Sequence, residues 1–232
     1  MNLPTAYHYD APRPAPRLAL RLAARRPIRI ADAPAVVDSG PVGRPFDLSA
    51  AMHTLCTDIA ARSPTFAHLD TTRMAFSVIR SRSAVRHGLQ ARITPLRFPG
   101  GELVGRVRRN AYQVQRFTID GREILYLVSF VLPRFLNREF IDKLVTVFHE
   151  LYHVSPAFDG DLRRHEGRYS AHSASQKKYD AHMAELVRDY LTREPDPAVY
   201  SFLKLSFGQL CRRHGAVVGL HLPRPKLLPV TS

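Results

Sequence analysis

The sequence predicts an α+β fold, and three features of its apolar pattern support this. Segments with apolar residues at helical spacing lie near both ends of residues 46–222, and strand-like segments lie between them. Two of these segments flank Asp120-Gly121, a dipeptide suited to the positive φ angles of a two-residue hairpin turn. The run 124–131 is apolar on nearly both faces, which predicts a central strand covered on both sides.

The first elements follow from short local patterns. Asp47 is placed to cap a helix that ends before Pro64 and carries apolar residues at helical spacing, namely Leu48, Met52, Leu55, Cys56 and Ile59. Strands are expected at 74–81 and 89–98, and Pro95 favours an edge position for the second. The arms of the predicted hairpin are 113–119 and 122–131.

From residue 137 onward, the spacing of apolar residues predicts mainly helices. Asn137 is a candidate N-cap for a helix that Pro156 ends, and its apolar residues cover so much of its circumference that it should be buried. Further helices are expected at about 173–191 and 198–213, followed by a short strand at 216–222.

The two ends of the chain differ from this domain. Residues 1–45 are rich in Pro, Ala and Arg, which predicts a disordered arm, and residues 223–232 form a Pro-rich tail. Residues 46–222 then form one domain. No apolar run reaches the roughly 18 residues of a membrane span. The two cysteines lack any CxxC spacing, which disfavours a disulfide framework and favours a reduced, cytoplasmic setting.

The buried helix carries the sequence His149-Glu-Leu-Tyr-His153. Two histidines four residues apart point the same way, so both imidazoles can reach one metal ion. Imidazole nitrogens suit Zn²⁺, and a third protein ligand would leave one position for water, whose pKa the metal lowers to about 7. Glu150 is placed to take the water's proton and pass it to a leaving amine. The motif predicts a zinc metallopeptidase with Glu150 as general base, since burying these groups together is costly without a metal.

The third ligand is open on sequence grounds. His172 lies 19 residues past His153 and just before a predicted helix, so the loop can fold back to the metal. His165 fits from within that loop. The acidic alternatives are Asp159, Asp161, Glu166, Asp180 and Glu185.

Other polar residues near the motif have two possible roles. Asp159 and Asp161 could orient the ligand histidines as hydrogen-bond acceptors instead of binding the metal. Tyr169 or Tyr179 could stabilise an oxyanion, although packing in the core is the more ordinary role for a tyrosine.

Residues 149–190 resemble a family of phage and prophage zinc metallopeptidases. The resemblance rests on HELYHVSPAFDGDLRRH, followed by RYSAHSASQKKYD and a helix, and it covers about 73–191. It implies a small intracellular peptidase domain, and its Tyr-Ser-Ala-His stretch points to His172 as the third ligand. The order of elements is similar to the zincin fold, in which the metal helix packs under a small mixed or antiparallel sheet. In that fold an edge strand holds extended substrate, which predicts substrate binding along 74–81.

A basic stretch suggests a second class of function. Of the formal charge of +14, the window 73–116 supplies +9, with ten arginines and one acid, Glu102. These arginines could follow a phosphate backbone. Alternatively, they reflect composition, since arginine outnumbers lysine 29 to 5 in an Ala-rich chain. The alternative function is a basic nucleic-acid-associated protein with a structural or degenerate zinc site, or a protease of DNA-bound proteins. The last would be distantly SprT-like, without a cysteine-rich zinc ribbon.

Overall fold

A computed structural model describes residues 44–81, 88–164 and 176–230 of the chain. The predicted arm, apart from its last two residues, lies outside these ranges, as do His165, Glu166, Tyr169 and His172. Within the described residues the fold is mixed α+β, as the sequence predicts.

The helices are α1 Leu48–Arg62, α2 Phe140–Tyr152, α3 Gln176–Thr192, α4 Pro197–Tyr200 and α5 Phe207–His214. The α1 helix begins where predicted, because the Asp47 carboxylate accepts a hydrogen bond from the Ala50 amide at 3.1 Å. Its buried residues are the five apolar ones named from the spacing. None of the helices in the described part of the chain is both long and apolar enough to cross a membrane.

The strands are β1 Phe46–Asp47, β2 Met74–Arg80, β3 Ala91–Pro95, β4 Val104–Val107, β5 Asn110–Val114, β6 Phe117–Ile119, β7 Arg122–Ile124, β8 Tyr126–Leu132, β9 Val217–Val218 and β10 Leu227–Pro229. The central sheet has the order β2-β8-β3. All seven residues of β8 are buried, which confirms the predicted central strand. It pairs parallel to β2 and antiparallel to β3, and Pro95 lies in an edge strand as predicted.

The central sheet separates two apolar layers, because alternate residues of β8 point to opposite faces. Tyr126, Val128 and Phe130 face a core shared with α1, α2 and α3. Leu127 faces a smaller core against a second sheet of order β10-β5-β4. The chain therefore places helices on one face of the central sheet and a small antiparallel sheet on the other.

The predicted hairpin is confirmed at its turn and wrong in its arms. Asp120 and Gly121 have φ angles of 49° and 78°, and they join β6 to β7. The run 122–131 is divided at Leu125, whose amide donates to Arg73 and whose carbonyl accepts from Leu96. These bonds draw the chain into the central sheet. Residues 113 and 114 belong to β5, which pairs with β4 and β10.

Two helix predictions need correction. Asn137 does not cap α2, which begins after Glu139 without a side-chain cap. Its Oδ1 instead accepts from the Phe207 amide at the start of α5, at 3.2 Å. The predicted helix 198–213 is divided into α4, a 3-10 turn at Ser201–Lys204, and α5, because Ser206 and Gln209 form a capping box that starts a new helix.

The C-terminal segment contributes to the packed part of the chain. The β10 strand pairs antiparallel with β5, and both of its leucines are buried. Residues 227–229 therefore extend the sheet that contains β4 and β5.

Candidate metal centre

The two histidines of the motif meet at the C-terminal end of α2. Their Nε2 atoms are 3.0 Å apart, and their rings are nearly perpendicular with centroids 4.7 Å apart. The opposite side of this part of α2 is buried through Leu144, Val147 and Leu151, so packing fixes which way the imidazoles point. The helix thus delivers two nitrogen donors to one point, as the spacing predicts.

Arg163 holds the end of the helix in place, a role that no sequence pattern indicated. Its amide donates to the His153 carbonyl and its Nε to the Tyr152 carbonyl, each at 2.7 Å. Its guanidinium also lies 4.3 Å from the centre of the Tyr152 ring. Carbonyls at a helix C-terminus lack helical partners, so these bonds stabilise the turn that carries His153.

Tyr179 of α3 packs against both imidazoles. Its ring meets His149 edge-on at 4.9 Å and stacks on His153 at 6.2 Å between centroids. The residue is buried in the core shared by α2 and α3. Of the two roles considered for Tyr179, core packing is the one that these contacts provide.

The Glu150 side chain extends from α2 toward the edge strand β3, and only 8% of the residue's surface is exposed. Burial raises the pKa of this carboxyl to about 7, while a hydrogen bond with the backbone of Ile93 acts to lower it. Backbone hydrogen bonds join Leu96 to Leu125 and Gln90 to Val131, one at each end of the pairing between β3 and β8. In an antiparallel pair the backbone groups of successive residues point alternately toward and away from the neighbouring strand. Ile93 therefore directs its backbone groups away from β8, toward the free edge.

The sheet edge beside Glu150 is thus β3, not the 74–81 strand expected from the sequence. That strand, β2, lies on the far side of β8, and its Val78 amide already donates to the Leu220 carbonyl at 2.8 Å. The order of the strands determines which edge lies beside Glu150, and the apolar pattern of the sequence does not reveal that order.

The loop after α2 is held by its own aspartates. The Asp161 carboxylate accepts from the Gly100 amide at 2.9 Å and from the Leu162 amide at 2.8 Å, and it pairs with Arg164 at 3.0 Å. The Asp159 carboxylate accepts from the Asp161 amide at 3.1 Å. Both carboxylates therefore bind within the loop and its neighbours, instead of orienting the histidines as the sequence suggested.

Tyr126 anchors the same loop from the central sheet. Its hydroxyl donates to the Asp161 carbonyl at 2.8 Å and accepts from the Gly160 amide at 2.9 Å. Gly160 has a φ of 90° and lies so close to Arg97 that an added Cβ would be 2.5 Å from its Cγ. A glycine is required there by both conformation and space.

The donor pair fits zinc in chemistry and spacing. Tetrahedral zinc with bonds of about 2.0–2.1 Å separates its ligand atoms by about 3.3 Å, close to the 3.0 Å between the two Nε2 atoms. Within 44–81, 88–164 and 176–230, no group of three or more His, Cys, Asp or Glu side chains gathers around a point. Asp159, Asp161 and Glu185 are therefore not grouped with this pair in the described part of the chain. The remaining candidates are His165, Glu166 and His172, outside the described residues, and Asp180, whose side chain is not described.

The arginines of 73–116 that the structure describes do not all lie on one surface. Arg73, Arg97 and Arg116 converge on Glu123, with Arg97 at 2.7 Å and Arg73 at 3.9 Å. Burial acts to raise the pKa of Glu123, but hydrogen bonds from Arg97 and Arg116 bring it below its usual value. Arg106, Arg108 and Arg109 are instead exposed on the β4–β5 hairpin, and Arg82 and Arg86 lie outside the described residues.

Comparison with models of protein families, with curated proteins and with solved structures gives no match for this chain. Its function is therefore inferred from the residues and geometry of the site.

Proposed function

We propose that this chain is a zinc-dependent metallopeptidase of the zincin type. The observation that carries the proposal is the pair of Nε2 atoms 3.0 Å apart, one residue from a buried carboxyl that faces the edge of the central sheet. Two neutral nitrogen donors and an adjacent carboxyl are the groups that metal-assisted peptide hydrolysis requires.

His149 and His153 would hold the metal, with His172 as the third ligand or His165 in its place. Zinc bound there supplies a water of pKa near 7 and a polarised carbonyl. Tyr179 and Arg163 support this role by fixing the two imidazoles and the last turn of α2, so little freedom is lost on binding metal.

Glu150 would move the proton in this reaction. The carboxyl neighbours His149 in the sequence, and its burial keeps it from being solvated as an ordinary surface acid. As general base it accepts a proton from water, and as general acid it then donates that proton to the leaving amine.

An extended peptide would bind along β3. Ala91 directs its amide and carbonyl away from β8 and Ile93 its carbonyl, and these groups can pair with an added strand, whereas the Ile93 amide is bound to Glu150. Pro95 has no amide hydrogen, which limits the ladder at that end. Peptide laid along this edge passes directly beside Glu150, whose carboxyl reaches the Ile93 backbone.

The arrangement also supports the likeness to zincins. A buried HExxH helix packs against a small mixed sheet whose edge strand nearest the helix is antiparallel to its neighbour. The family relationship to phage and prophage metallopeptidases remains part of this proposal and rests on the motif.

Zinc content and peptide cleavage measured on the same purified sample test the proposal. We expect about one zinc per chain, hydrolysis of a fluorogenic peptide library, loss of hydrolysis on prolonged chelation, and recovery with added zinc. Hydrolysis that persists after the metal is shown to be gone contradicts it. Zinc at full occupancy without any hydrolysis favours the alternative, a structural site closed by four protein ligands.

A further inference from the structure

The β4–β5 hairpin is the most basic exposed feature of the described chain. Arg106, Arg108 and Arg109 are exposed on it, with no acidic side chain within ion-pairing distance among the described residues. Arg73, Arg97 and Arg116, by contrast, share the Glu123 carboxylate, which offsets one of their three charges. Three cations within four positions of one tight turn make a local positive field in a chain of net charge +14.

The hairpin projects beyond the sheet that supports it. Val107 pairs with Asn110 across a two-residue turn, while the chain of β10 bonds to β5 only as far as Ala111, whose carbonyl accepts from the Val230 amide at 3.0 Å. The tip, residues 107–110, is therefore a two-stranded ribbon. Gly105 fixes its base, because an added Cβ there would lie 2.1 Å from the ring of Phe98.

The turn of the β4–β5 hairpin places an arginine in an unfavourable backbone conformation. Arg108 has a φ of 57°, a conformation that favours Gly or Asn in two-residue turns. An arginine there costs conformational energy and contributes no ion pair within the described chain. A departure from local turn preferences is expected where a side chain serves binding.

We propose that the β4–β5 hairpin binds duplex DNA, with Arg106, Arg108 and Arg109 contacting phosphates. A two-stranded ribbon fits the major groove, about 12 Å wide, and guanidinium groups bind phosphate with two parallel hydrogen bonds. Leu103 and Val104, exposed by 47% and 45%, offer apolar contacts at the base of the ribbon. Single strands are disfavoured because the exposed side chains of the hairpin include no aromatic ring on which bases could stack.

This binding surface uses none of the metal-site residues. Binding of a fluorescein-labelled 20-base-pair duplex by the full chain, followed by anisotropy over a salt series, tests it. The variant R106Q/R108Q/R109Q should lower the slope of log affinity against log salt by up to about 2.7, which corresponds to three lost phosphate contacts. Glu150→Gln should bind as the wild type does.

A matched variant separates position from net charge. R188Q/R212Q/R213Q removes three exposed arginines from α3 and α5, and its slope should stay near that of the wild type. Equal losses in both triple variants, or no binding at low salt, overturn the proposal. It is also overturned if polyglutamate binds the hairpin as tightly as the duplex does, or if a single strand of the same length binds more tightly.

Discussion

The two imidazoles of the site come together through the pitch of a single helix. Residues four apart lie on one face, so the sequence alone predicted that the rings of His149 and His153 meet. Their neighbours, Arg163 and Tyr179, come from other segments, and no local spacing relates those residues to the motif. Sequence reasoning therefore named Tyr179 among several candidates and missed Arg163.

The third ligand gives a prediction at the scale of one side chain. His172→Ala should weaken zinc binding by at least about 100-fold, since loss of a direct ligand should cost no less than loss of a residue that supports one. His165→Ala should change zinc affinity little. Zinc titration of these two variants, with Asp180→Asn and Glu185→Gln, measures this, and a His172→Ala protein that holds zinc like the wild type contradicts the assignment.

The elements with a clear local signal were predicted well. The cap and buried face of α1 and the central position of β8 both follow from side-chain spacing. The errors arose where a distant segment competes for the backbone. Leu125 leaves the hairpin to bond with Arg73 and Leu96, and Asn137 binds the start of α5 instead of capping α2.

Lys143 shows a further contact that spacing did not reveal. It lies on α2 with only 2% of its surface exposed, and its Nζ donates to the carbonyls of Leu203 and Leu205, each at 2.8 Å. The lysine thereby ties α2 to the segment that precedes α5. Desolvation lowers its pKa to about 8, and the charge of Glu139 offsets part of this effect.

This lowered pKa predicts how stability depends on pH. Above pH 8 the folded state releases the Lys143 proton while the unfolded chain keeps it up to about 10.5, so the free energy of unfolding should rise with pH in this window. Between pH 8 and 9.5 we expect a rise of about 1–2 kcal/mol from this group, measured by urea unfolding.

Lys143→Met should remove that rise, whereas Lys226→Met, at an exposed position, should keep it. Groups that titrate elsewhere in this window contribute equally to all three proteins, so the difference isolates Lys143. A Lys143→Met protein whose stability rises with pH as much as the wild type does would show that the buried charge has no such cost.

The whole molecule places its two proposed activities on opposite faces of one sheet. The helices that carry the candidate metal centre pack on one face of β2-β8-β3, and the sheet that carries the basic hairpin packs on the other. An α+β fold was predictable because helix and strand patterns are local. The strand order was not, since β8 is buried on both faces and its pattern favours no particular neighbour.

Two conclusions depended on that order. The first is the sheet edge that lies beside Glu150, which is β3 instead of β2. The second concerns the basic window: three of its ten arginines lie around Glu123 and three others on the β4–β5 hairpin. Composition gives the total charge, whereas the structure shows which of these cations lie beside a carboxylate.

The central claim is that Glu150 acts in the reaction and does not hold the metal. Zinc stoichiometry and peptide hydrolysis measured together for Glu150→Gln test it most directly, with Glu139→Gln, at the exposed start of the same helix, as the matched control. We predict that Glu150→Gln keeps wild-type zinc and loses hydrolysis by about 10²-fold or more, because an amide cannot accept the proton. The control should retain both. Loss of zinc in parallel with activity, or hydrolysis at the wild-type rate, would contradict the assignment of Glu150.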